Sequence, residues 1–279
     1  MSTIHPRLAL CSWSTQPTSP QQLVDNVKQT GITNIQLALM PLFQQSDVWG
    51  DAPKQLADAG INVVSGMFGC VGENYSTFQT IRQTGGMTRD ETWEDNWANV
   101  QQVAKVAQSM GLEMVSGHAG FLPTSKDDPA FDKLAARLTQ VAGCFADHGL
   151  TLIFETGQET ADTLNQFLDE LASRNATNVG INFDPANMLL YNMGDPVESV
   201  IKVGPRVKQV HIKDAVRAEQ PETWGVEVAV GTGQVDWPAF IKALEQINYT
   251  GNLVIEREAG DQRLADIATA ARHITTLLG

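Results

Sequence analysis

Four side chains that can bind a metal ion each close a short apolar run in the second half of the chain. Val210-His211-Ile212-Lys213-Asp214 carries an imidazole to the end of a predicted buried strand. Leu152-Ile153-Phe154-Glu155 and Leu253-Val254-Ile255-Glu256 each end in a glutamate, and the run 179–184 ends in Asp184. Three carboxylates gathered in a low-dielectric pocket repel one another unless a cation compensates them. Oxygen-rich ligands with one imidazole suit one divalent metal ion, Mn2+ first, with Mg2+, Co2+ or Zn2+ as alternatives. The absence of a thiolate from the set argues against a structural zinc. Each residue also has an ordinary role, because a strand-end carboxylate commonly caps the next helix or pairs with a cation. Recurrence on several strands is what points to a site. His118 ends another predicted strand and is equally readable as a rim residue or a structural one.

These four ends can meet only if the strands share one sheet. Strand signals fall at 8–13, 34–39, 61–67, 112–116, 151–155, 179–184, 207–213 and 252–256. Helix signals fall between them, at 20–30, from 39 to about 59, and at 92–110, 129–148, 160–173, 196–203, 237–247 and 261–278. Two long loops are expected, 68–90 and 214–235. Repeated strand–helix units imply a parallel sheet. Eight of them within 279 residues predict a single (β/α)8 TIM barrel over 1–279 with its metal site at the C-terminal rim. An open doubly wound sheet is the alternative, but the first turn, Ser12-Trp13-Ser14-Thr15, lacks a Gly-rich dinucleotide fingerprint. Side-chain alternation agrees with the barrel. If Glu155, Asp184, His211 and Glu256 point inward, then Leu152, Phe154, Ile181, Phe183, Val210, Ile212, Leu253 and Ile255 point to the helices. Gly231-Thr232-Gly233, before the helix start Asp236-Trp237-Pro238, is either an anion cradle or a plain turn.

Composition narrows the partners. A formal net charge of -13 opposes binding to nucleic acid or to an anionic membrane. The three cysteines, Cys11, Cys70 and Cys144, form no CxxC pair and fit a reducing compartment. The stretch MSTIHPRLAL does not read as a signal peptide, and no window reaches the roughly 18 apolar residues of a membrane span. A cytoplasmic protein is expected.

The motifs Phe154-Glu155-Thr156, Asn182-Phe183-Asp184-Pro185-Ala186-Asn187, His211-Ile212-Lys213-Asp214, Val230-Gly231-Thr232-Gly233-Gln234-Val235-Asp236-Trp237 and Val254-Ile255-Glu256 resemble the xylose isomerase-like TIM barrel superfamily, in particular its sugar (phosphate) isomerase/epimerase group. The resemblance implies that Glu155, Asp184, His211 and Glu256 bind the metal and that Glu155 and Glu256 are the acid/base pair. It implies a small sugar or keto-sugar substrate and a homo-oligomer. Arg217 matches a position that contacts substrate in the epimerases. Asn187 stands where many members carry a histidine, and Gln158 where some carry an acid. His118, Asn187, Arg217 and Lys213 are the expected substrate-binding residues, with Lys213 otherwise readable as a carboxylate partner. Trp13, Phe68, Phe121 and Trp224 are either packing or a sugar-facing wall.

The implied activity is epimerisation or isomerisation through a metal-stabilised enediolate. A lyase or hydratase acting on a keto-sugar or keto-glycoside is the alternative. An AP-endonuclease-type phosphodiesterase fits less well, since that branch needs many histidines and this acidic chain has five. A non-catalytic sugar-binding barrel would not need two opposed glutamates.

Overall fold

Short runs of β-branched and large apolar residues, each ended by a polar side chain and followed by a helix start, build the sheet. The computed structural model describes residues 4–220 and 222–279; the stretch read for a signal segment begins at 1–3, and the loop 214–235 includes Pro221, both outside the described residues. The strands are β1 (Leu8–Cys11), β2 (Asn34–Ala38), β3 (Asn62–Met67), β4 (Met114–Gly117), β5 (Thr151–Glu155), β6 (Val179–Phe183), β7 (Val207–Ile212), β8 (Asp214–Val216), β9 (Val226–Val228) and β10 (Leu253–Ile255). Eight close into a parallel barrel in the order β1-β10-β7-β6-β5-β4-β3-β2, and β8 and β9 form a separate antiparallel pair. The predicted barrel is therefore observed.

Alternation divides the side chains as expected. Leu152, Phe154, Ile181, Phe183, Val210, Ile212, Leu253 and Ile255 join the main core between sheet and helices. Ala9, Cys11 and Val254 form a small separate cluster inside the barrel. The rest of that interior is unusually polar. Gln36, Ser65, Ser116, Asn182 and Gln209 are all buried there. Four of them bond to one another: Ser65 Oγ to Gln209 Oε1 at 2.5 Å, Gln209 Nε2 to Asn182 Oδ1 at 3.3 Å, and Asn182 Nδ2 to Ser116 Oγ at 3.3 Å. Buried polar groups are tolerated because they satisfy one another.

Four expectations need correction. The helix after β2 is broken into Met40–Gln44, Ser46–Trp49 and Ala52–Asp58. Pro41 and Pro53 sit in the first turns of two of these segments, the only helical positions where a missing N–H costs nothing. The loop 68–90 contains a helix, Phe78–Thr84, capped reciprocally by Thr77 and Thr80, a box whose third residue is threonine and not the usual acid or amide. The stretch after β6 begins at once with the helix Pro185–Leu190, and the loop 214–235 carries β8 and β9.

One close approach ties the 68–90 segment to the end of β4. Gly86 has φ +67°, and a Cβ there would overlap the Ala119 carbonyl and the Gly120 nitrogen. The Gly86 N–H also donates to Glu73 Oε1 at 2.9 Å. Gly111 has φ +69° but open space around it. Gly86→Ala is therefore expected to cost about 2 kcal/mol or more, and Gly111→Ala about 1 kcal/mol. Denaturant titration of the two variants checks this, and equal losses would show that the close approach does not matter.

Candidate metal centre

β5, β6, β7 and β10 are consecutive neighbours around the barrel. Their C-terminal ends therefore deliver Glu155, Asp184, His211 and Glu256 to one point. One ligand-type atom from each of the four lies within 4.8 Å of the others. His211 Nδ1 is 3.5 Å from Glu155 Oε1, 3.6 Å from Asp184 Oδ2 and 3.4 Å from Glu256 Oε2.

Asp184 serves two roles. Its Oδ1 accepts from the Asn187 N–H at 3.0 Å as the cap of the helix Pro185–Leu190. Its Oδ2 is fully buried and has no hydrogen-bond partner, and the same holds for His211 Nδ1. Two orphaned buried atoms, each able to offer a lone pair into one space once the imidazole is deprotonated, fit a metal ion, because leaving them unpartnered is costly. The donor set, three carboxylates and one neutral imidazole, is chemically suited to a divalent cation.

The interior beneath the centre fixes the imidazole. Gln36 Nε2 donates to the Gly66 carbonyl at 3.3 Å, which turns Gln36 Oε1 toward His211 Nε2, 2.8 Å away. Asn182 Nδ2 also lies 2.9 Å from Nε2. When Nε2–H donates to the Gln36 oxygen, Nδ1 faces the carboxylates, protonated in the metal-free protein and able to offer a lone pair once that proton leaves. Burial disfavours the His211 imidazolium, yet Glu256, Glu155 and Asp184 around it hold the ring well above the usual imidazole range. Burial pushes the neighbouring Cys11 thiol up, so the sulfur is neutral and the carboxylates supply the negative charge.

Burial also works against ionised Glu256, but the Lys213 ammonium overrides it and brings Glu256 to about 2. Lys213 Nζ donates to Glu256 Oε2 at 2.9 Å and to Glu258 Oε2 at 2.7 Å. Glu155 is held well below the carboxylate range against its burial, by His211 and His118. Asp184 moves the other way, because burial outweighs the attraction of Lys213.

A cavity of about 560 Å³ opens above these groups. His118, Asn187 and Lys213, the expected substrate-binding residues, line it. Asn187 Nδ2 donates to Glu155 Oε1 at 2.9 Å, and His118 Nε2 lies 3.4 Å from Glu155 Oε2. Trp13 and Trp224 also line the cavity, and the Trp13 indole N–H donates to Glu256 Oε1 at 2.8 Å. Arg217 is not brought there. Its guanidinium is held by Asn192 Oδ1 and the Gly194 carbonyl, each at 2.8 Å. Phe68 is buried against Phe145, and Phe121 lines a different cavity. The Gly231–Gly233 turn cradles an anion of its own chain: Asp214 accepts from the N–H groups of Gly231, Gly233 and Val235 and from the Trp237 indole.

Sequence reasoning missed Glu73, Tyr75, Tyr191 and Glu258. Glu73 and Tyr75 meet His118 Nδ1, at 3.6 Å and 3.0 Å, from a segment read as an irregular loop. Glu258 had a signal, since it lies two residues beyond Glu256.

The profile of a family described as "Xylose isomerase-like TIM barrel" matches residues 24–277. A solved "Xylose isomerase domain protein" from Planctomyces limnophilus is 33% identical, with 91% of each chain covered and a TM-score of 0.84. An inosose dehydratase from Clostridium botulinum is 28% identical over 48% of its length and 47% of this chain. An L-ribulose 3-epimerase from Methylomonas sp. is 27% identical over 51% of its length and 54% of this chain. The chain thus spans about half the length of the curated relatives it matches. Among the described residues no helix is long and apolar enough to cross a membrane.

Two outcomes are expected. Gln36→Leu should weaken Mn2+ affinity about 10-fold or more while leaving the barrel folded, because it removes the acceptor that orients His211. Binding should also expel a proton: the metal-free imidazole holds its proton above the usual pH range, and the metal needs that lone pair. Affinity should therefore climb with pH until the raised imidazole value is passed. Calorimetry in buffers of different ionisation enthalpy checks both, and a pH-independent affinity without proton release would remove His211 from the ligand set.

Proposed function

Because the chain belongs to the xylose isomerase-like TIM barrel family, we propose that it is a divalent-metal-dependent epimerase or isomerase acting on a sugar or keto-sugar. The observation that carries this reading is the pair Glu155 and Glu256. They reach one cavity from β5 and β10, on either side of the strands bearing Asp184 and His211. Glu155, Asp184, His211 and Glu256 would hold the ion, Mn2+ being the best match to the donor set. When bound, the ion would supply electrostatic stabilisation to the oxygens of an enediolate.

The protein's own groups divide the proton work. One glutamate removes the proton from the carbon beside the carbonyl. The other returns a proton to the opposite face of that carbon, giving an epimer, or to the adjacent carbon, giving an isomer. A single base would usually return the proton to the face it came from. Both glutamates are held ionised in the free protein, Glu256 through Lys213 and Glu155 through the two histidines. Either can therefore act as the base, and the other returns a proton only after taking one from solvent or from a neighbouring protonated group. Trp13 and Asn187 fix their orientations by hydrogen bonds. Lys213 and His118 are the donors available to substrate oxygens.

A second reading, dehydration, is favoured by His118. Its imidazole lies between Glu155 and Glu73, which hold it well above the usual range against its burial. A protonated imidazole there can hand a proton to a departing hydroxyl once the neighbouring carbon is deprotonated.

Solvent-deuterium incorporation across free and phosphorylated ketoses, with Mn2+ and then with chelator, tests the reading. Metal-dependent labelling is expected, and the labelled carbon separates epimerase from isomerase. Loss of water from the product would mark the dehydratase. Glu155→Gln and Glu256→Gln should each lower exchange by about 10³-fold with the fold retained. Normal exchange in either variant would sink the two-base mechanism.

A further inference from the structure

A second cavity, of about 340 Å³, lies beside the first, and Tyr191 is the one residue among those described that lines both. The Tyr191 ring belongs to a continuous band of aromatic side chains. It meets Trp224, on the metal side, at 4.8 Å between ring centroids. It meets Phe121 and Phe78, on the far side, at 5.9 Å each. Gly157, two residues beyond Glu155, has no side chain, and a Cβ there would stand 2.5 Å from Asn187 Cβ and 3.1 Å from the Tyr191 ring. The Tyr191 hydroxyl accepts from Gln158 Nε2 at 3.2 Å, and Gln158 lines the second cavity.

The polar groups of this second cavity select for a neutral ligand. Arg82, its cation, is paired with Glu222 and lies over the Phe121 ring, so its charge is already answered. Glu159 lines the cavity and is 7% exposed. Its carboxyl has the backbone N–H groups of Gly157 and Gln158 nearby and no side-chain hydrogen-bond partner. Burial pushes it up to about 8, so near neutral pH it carries a proton and can both donate and accept. One buried acid, the amides of Gln158 and Asn192, and an aromatic wall suit a hydroxylated ring with an apolar face. They do not suit a phosphate, which needs free cationic or N–H donors.

We propose that this cavity is a subsite for a second, uncharged sugar unit, so that the substrate is a glycosylated keto-sugar lying along the Trp224–Tyr191–Phe121 band, its carbonyl end at the metal centre. This rests on the enediolate reading given above. It goes further by fixing the substrate as neutral and two units long. The first cavity accords with it. Glu73, Glu155, Glu227, Glu256 and Glu258 line that space, and its two cations are already matched, Lys213 by Glu256 and Glu258 and His118 by Glu73 and Glu155, so the surplus of carboxylates opposes a phosphate.

The test uses the full chain loaded with Mn2+ and four probes: fructose, and the ketose disaccharides turanose, lactulose and palatinose, which carry a hexosyl unit on different oxygens of fructose. Affinity is measured by calorimetry and solvent-deuterium exchange by NMR. At least one disaccharide should bind about 10-fold tighter than fructose. That ratio should collapse toward one in Glu159→Leu, in Phe121→Ala, and in Thr163→Trp, which fills the cavity from its rim. Three variants guard against a loss caused by misfolding of one. If no disaccharide outbinds fructose, or if the ratio survives all three substitutions, the subsite is wrong. Metal-dependent exchange with fructose alone would overturn the subsite and leave the enediolate reading standing. A disaccharide advantage without exchange into any ketose would support the subsite and overturn the enediolate reading.

Discussion

Three carboxylates and an imidazole, all buried and all within reach of one another, set the terms for the rest of the molecule. Like charges at such distances in a poorly polarisable interior cost several kcal/mol unless matched. Two matches are built in: Lys213 lies against Glu256 and Glu258, and His118 lies between Glu155 and Glu73. Both leave Asp184 Oδ2 and His211 Nδ1 without hydrogen-bond partners. The remaining demand is for a cation, and the surrounding structure keeps that demand in place.

The polar interior of the barrel is part of this arrangement. Interiors of parallel barrels are commonly filled by branched apolar side chains. Here Ser65, Ser116, Asn182 and Gln209 form a bonded layer beneath the centre, and Gln36 joins it through His211. Only such a layer can present a carbonyl oxygen to His211 Nε2 and so direct Nδ1 upward. An apolar layer would fill the same volume but leave the imidazole free to choose its tautomer and tilt.

Above the centre, the chemistry of the walls changes with distance from the charged groups. Close to them, hydrogen bonds from Trp13 and Asn187 hold the two glutamates. Farther out, Trp224, Tyr191, Phe78 and Phe121 supply ring faces at centroid separations of 4.8 to 5.9 Å. Part of this wall comes from the helix Phe78–Thr84 and part from the β8–β9 segment, both in stretches that carry little regular pattern in the sequence. The Gly86–Ala119 contact brings the first of these stretches against the end of β4, and Glu73 reaches His118 by that route.

The sequence by itself determined the barrel, because its information is periodic and local. Alternating strand and helix signals, helix starts such as Asp128-Pro129 and Asp236-Trp237-Pro238, and glycine stops at Gly31 and Gly60 are written within a few residues of where they act. It also determined that Glu155, Asp184, His211 and Glu256 would share one rim, since strand parity and a closed parallel order leave them no other place. Only the tertiary structure decided the rest. Arg217 turned to Asn192 and Gly194 because the β8–β9 hairpin carries it away from the cavity, and Asp214 took the Gly231–Gly233 cradle for itself. Glu73, Tyr75 and Tyr191 reached the cavity through contacts between segments far apart in the chain. Local pattern fixes which face of a strand a side chain leaves from. Which distant group it then meets depends on how loops and short helices pack, and no spacing in the sequence records that.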